Sequence, residues 1–110
     1  MTVRSQFAEF AVDQLSGLGQ VLVRRMFGGA GLYLDGTMFA LIADDTLYLK
    51  VDDTNRPDFE ALGSSPFQPF PDKPMTMPYY PVTADLLEDR SRLTLWASRA
   101  LSVARRGKRR

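Results

Sequence analysis

Asp44, Asp45, Asp52 and Asp53 place four carboxylates within residues 44–53 of the sequence. Clustered carboxylates can hold Mg²⁺ or Ca²⁺, or divide acid and base roles between them. Their spacing matches no cation-binding loop, and turn formation and helix capping account for all four. Gly28-Gly29-Ala30-Gly31 has the look of a phosphate cradle, yet no Lys-Ser/Thr pair or helix start follows it, so it reads as a backbone bend. Arg24 and Arg25 precede that bend. Adjacent strand residues point to opposite faces, so one guanidinium is free to meet a partner's carboxylate or phosphate. Arg24, Arg25 and Tyr33 are therefore the candidate interaction residues. Arg105, Arg106, Lys108, Arg109 and Arg110 are the candidate nucleic-acid contacts, able to attract phosphates without reading sequence.

The chain contains neither Cys nor His. Disulfides, zinc sites, Cys or His haem ligation, Cys nucleophiles and Ser-His-Asp triads cannot be built from such an inventory. Carboxylate, Lys, Tyr and backbone chemistry remain. No catalytic, cofactor-binding or metal-ligating residues are assigned, no cofactor is expected, and the chain reads as a non-enzyme. Five of the 14 basic residues fall in the last six positions, leaving 9 against 13 acidic residues elsewhere. The body of the domain is thus mildly acidic, which disfavours a main face built to grip phosphates.

The elements that must position these residues follow from hydrophobic spacing. Phe7, Phe10, Ala11, Leu15 and Leu18 recur with helical period, predicting a helix over residues 5–18 with Ser5 as N-cap and Gly17 and Gly19 as stops. Four apolar runs, 21–27, 30–34, 38–43 and 46–51, are rich in strand formers. With Gly28-Gly29 taken as a bend, the first two merge, giving three strands. Asp35-Gly36 and Asp44-Asp45 mark tight hairpin turns. In Leu47 to Val51, alternation sends Leu47, Leu49 and Val51 to the core and Tyr48 and Lys50 outward.

Asp53 or Thr54 suits the N-cap of a short helix through Leu62, with Pro57 in its first turn and Gly63 at its end. Six of seven prolines lie between Pro66 and Pro81, which predicts a proline-bounded hairpin at the sheet edge. Three PxxP patterns there can also present a polyproline surface. Tyr79 and Tyr80 can stack on bases, although Lys73 is the only cation near them. Leu93, Trp96, Ala97, Ala100, Leu101 and Ala104 predict a last amphipathic helix, with Trp96 in the core. The expected architecture is α+β: a two-layer α/β sandwich with an antiparallel sheet, in the order α-β-β-β-α-β-β-α. Residues 1–104 form one domain and 105–110 a basic tail. Without a signal-like start or an apolar run of about 18 residues, the expected location is cytoplasmic, with no membrane partner.

Residues Arg24 to Gly36, with Phe39-Ala40-Leu41-Ile42 and Leu47-Tyr48-Leu49-Lys50-Val51-Asp52, closely resemble the N-terminal domain of the TfoX (Sxy) family of competence regulators. Pro66-Phe67 and Pro78-Tyr79-Tyr80 echo it later in the chain. The resemblance implies a secretion-chaperone-like antiparallel α/β fold. It also implies transcriptional control, because full-length bacterial members add a C-terminal helical domain and work with a cyclic-AMP receptor protein on DNA-uptake genes. The family supplies no catalytic or ligand residues to carry over. The leading expectation is a regulatory protein-interaction module that docks on a transcription regulator or on itself as a homodimer. The alternatives are a weak, nonspecific nucleic-acid-binding protein and a small-ligand-binding protein or enzyme.

Overall fold

The computed structural model describes residues 5–26, 28–70 and 72–108, without the side chains of Ser5 and Lys108. The capping role expected of Ser5 and the positions of Phe27, Pro71, Arg109 and Arg110 lie outside that description. The elements are α1 (Ser5–Gln14), β1 (Leu22–Met26), β2 (Gly29–Leu34), β3 (Thr37–Ala43), β4 (Thr46–Lys50), α2 (Arg56–Glu60), β5 (Tyr79–Pro81), α3 (Ala84–Glu88) and α4 (Arg90–Lys108). All five strands pair antiparallel in the spatial order β1-β2-β3-β4-β5. The α+β class is as the sequence predicts.

The element order differs from the expected one at three places, two in the sheet and one in the added helix α3. β1 ends at Met26 and β2 begins at Gly29, with Met26 opposite Gly29 in an antiparallel pair, so the glycines close a hairpin instead of bending one long strand. Gly28 has φ +74°, the left-handed backbone that such a turn demands. Gly29 meets a different constraint, since a Cβ there would lie 2.1 Å from the Ile42 carbonyl oxygen. Four strands thus precede α2. At the other edge the proline-rich segment yields one short strand, β5, and a single bridge between Phe67 and Met77. Prolines lack the amide hydrogens that a second strand would need.

Two helices are shorter than the pattern implied. α1 stops at Gln14, and a 3-10 turn over Ser16–Leu18 carries the chain to Gly19. α2 begins after Asn55, not after Asp53 or Thr54, and ends at Glu60. Asn55 is buried, accepting from the Asp52 amide at 2.8 Å and donating to the Lys50 carbonyl at 3.0 Å. It ties the end of β4 to α2. α3 was not predicted. Thr83 caps it, its hydroxyl accepting from the Leu86 amide at 3.2 Å.

Every helix that covers the sheet lies on one face. α4 crosses β3 and β4, while α1 and α3 pack beside it. The core between the layers holds Leu15, Leu32, Ile42, Leu47, Leu49, Leu86 and Leu93, all fully buried. Leu47, Leu49 and Val51 point inward and Tyr48 and Lys50 outward, as alternation required. Phe59 of α2 packs against Trp96 at 4.9 Å, edge to face, and against Tyr80 at 5.8 Å. Trp96 therefore serves the core from its margin.

Strand β3 breaks its own alternation. The register slips between Leu32 and Tyr33, so Leu32 faces Ala40 but Tyr33 faces Met38. This bulge lets Phe39 join Ala40 in the core and sends Met38 to the opposite face.

Candidate functional site

Strand β1 lies at the sheet edge, bonded to β2 alone among the described residues. Leu22 is 55% exposed and Val23 44% exposed, and Arg24 and Arg25 are exposed beside them. Strand alternation divides the four side chains. Leu22 and Arg24 share the face that carries Tyr33, and the Arg24 guanidinium lies 5.6 Å from the centre of the Tyr33 ring. Val23 and Arg25 share the helix-side face with Ala30 and Leu32. The structure thus brings Arg24 and Tyr33 together and sets Arg25 on the other side of the sheet.

Arg25 is exposed on the helix side because α1 stands away from the end of β1. Between them runs a groove of about 540 Å³, walled by Ala8, Val12, Val23 and Ala30 and rimmed by Glu9, Asp13, Ser16 and Arg25. Arg90 fixes the end of α1 by donating to the Asp13 carbonyl at 3.1 Å and to its carboxylate at 2.9 Å. Gln14 ties the same turn to α3 through the Leu87 carbonyl at 2.9 Å. The groove is therefore held open by anchored walls. Sequence reasoning found Arg24, Arg25 and Tyr33 but not the apolar wall. Reading Gly28 as a hairpin turn would have set β1 apart as a strand of its own.

The other side of the sheet is partly covered. The segment after α2 folds back so that Phe67 packs on Tyr48 with ring centres 4.8 Å apart. The Phe67 amide donates to the Tyr79 carbonyl and the Met77 amide to the Phe67 carbonyl, at 2.7 and 2.8 Å. Tyr79 is buried beneath this strap, and burial pushes its hydroxyl up to about 12, with Tyr33 adding to the rise. The Lys50 ammonium lies over the Tyr79 ring at 4.9 Å.

The basic C-terminal residues are differently placed. α4 continues to Lys108, so Arg105 and Arg106 belong to a helix and not to a loose tail. Arg105 lies 3.7 Å from the Asp35 carboxylate. Arg106 donates to Asp52 at 3.1 Å and to the Thr54 hydroxyl at 2.9 Å. The Thr54 hydroxyl and then the other donors, Arg106 among them, hold the Asp52 carboxyl below its ordinary value. Of the remaining aspartates, Asp53 pairs with Arg56, while Asp44 and Asp45 form the β3–β4 turn with φ of +50° and +55°. Among the described residues, no three His, Cys, Asp or Glu side chains converge as a metal site would require. No helix among them is long and apolar enough to cross a membrane.

No curated protein matches the chain. The family model of the TfoX N-terminal domain matches residues 13–104, a span from the last two residues of α1 through most of α4, and the protein belongs to that family.

Proposed function

We propose that this domain is a regulatory protein-interaction module, not an enzyme, and that it docks a partner's extended segment along β1. The exposed edge Leu22–Met26 carries this reading, because among the described residues it pairs with β2 alone and its outer side can extend the sheet by one strand. Side chains beside it offer selectivity: Arg24 and Arg25 favour acidic residues on both faces of the incoming strand, and the groove accepts an apolar one. The partner class is a transcription regulator, which the resemblance to competence regulators supports. The missing Cys and His support binding over catalysis.

The test is capture of the full chain's partners from its own cell lysate, with and without nuclease, against the double variant Arg24→Glu/Arg25→Glu. A discrete partner that survives nuclease and is lost by the variant is expected. Partners that vanish with nuclease would assign the ligand as nucleic acid, and retention by the variant would move docking away from β1. Capture of the chain's own second copy alone would make β1 a homodimer interface.

A further inference from the structure

Two methionine sulfurs meet above a residue that has no side chain. A Cβ on Gly31 would lie 3.0 Å from Met26 Sδ and 3.1 Å from Met38 Sδ, so the two sulfurs are within about 6 Å of each other. The Tyr33 ring edge lies 3.1 Å from the same point. Met26 arrives from β1, and Met38 arrives only because the β3 bulge turns it to this face. A third methionine comes from the strap. Met26, Met38 and Met77, together with Phe67 and Leu41, line a cavity of about 20 Å³, roughly enough for one small occupant.

We propose that this thioether cluster is a binding site for a soft monovalent cation, Cu(I) or its analogue Ag(I). Thioethers are neutral, polarisable donors that favour Cu(I) over hard cations. The cavity lining contains no carboxylate, so Mg²⁺ and Ca²⁺ find none of the charged oxygen donors that would repay their dehydration, and Zn²⁺ finds no thiolate, imidazole or carboxylate. A chain without Cys or His has no stronger soft ligand to compete with these sulfurs. Phe67 lines the same space, where a cation can gain from the face of its ring. The strap supplies the third donor, so an occupied site would pin residues around Phe67 and Met77 to the sheet. Nothing in this site depends on docking at β1.

The full chain is titrated with Ag(I), a redox-inert probe, in chloride-free buffer while the methionine methyl resonances are followed by NMR. Cu(I) affinity is then measured anaerobically against a chromophoric Cu(I) chelator. Saturation at one equivalent is expected, with the methyls of Met26, Met38 and Met77 shifted and that of Met75 unmoved. The volume-conserving variant Met26→Leu/Met38→Leu should lose at least about 100-fold in Cu(I) affinity, the upper end of the loss seen when even a supporting group at a metal site is removed. Should that variant fail to fold, Met77→Leu in the strap must weaken binding instead. Binding without saturation, equal shifts at Met75, affinity unchanged by these substitutions, or equal competition by Zn²⁺ would each overturn the proposal.

Discussion

The two edges of the sheet solve one problem in opposite ways. β5 spans only Tyr79–Pro81, has a proline at its end and another just before it, and lies beneath the strap that carries Phe67. Short length, prolines and cover are the usual protections of an edge that must not pair. Among the described residues, β1 has none of them from Leu22 to Arg25, and only Met26 at its end meets the strap. It runs for five residues without a proline, is exposed on both faces, and relies on two arginines. Charged residues also discourage indiscriminate pairing, so β1 remains open while rejecting partners of the wrong charge. One edge is closed and the other selective.

The largest effect expected from breaking this contrast lies beneath the closed edge. Phe59→Ala removes the ring joining Tyr80 of β5 to Trp96 of α4 and should cost about 4 kcal/mol of stability in denaturant unfolding. Gly29→Ala attacks the open edge through its hairpin. With a Cβ forced toward the Ile42 carbonyl, it should cost about 3 kcal/mol and raise hydrogen exchange in β1 before β5.

Tyr79 supplies a pH test of the strap. Its folded value is raised, so its contribution to stability is complete below the ordinary tyrosine value near 10 and is lost as pH rises through about 12. Unfolding midpoints should fall across that window, and Tyr79→Phe should flatten the fall. The smallest change in stability belongs to Arg24→Glu/Arg25→Glu, within about 0.5 kcal/mol because both side chains are exposed. Near-unchanged stability with lost partner binding would separate recognition from folding. Asp44→Gly, at φ +50° in the β3–β4 turn, should stabilise by a similar small amount and leave both edges unaltered.

Much of the fold was legible because its signals are local. The period of Leu93, Ala97, Ala100 and Ala104 marked α4, Asp35-Gly36 marked a hairpin, and Leu47 and Leu49 declared their face. The edge position of β1 was hidden because Gly28-Gly29 fits both a bend and a turn, and only pairing with Gly29–Leu34 decides between them. The methionine cluster was hidden more deeply. Alternation from Ala40 places Met38 on the core side, and the bulge that reverses it depends on packing Phe39 between the layers. Arg105 and Arg106 read as tail residues because their carboxylate partners, Asp35 and Asp52, lie more than fifty residues away in sequence.

The most direct measurement is hydrogen–deuterium exchange on the full chain, alone and bound to the nuclease-resistant partner captured from lysate. Docking along β1 predicts new protection at the amides of Leu22–Met26, with β5 and the C-terminal turns of α4 unchanged. Protection confined to α4 or to the strap-covered face, with β1 exchanging as in the free chain, would contradict the open edge as the docking site.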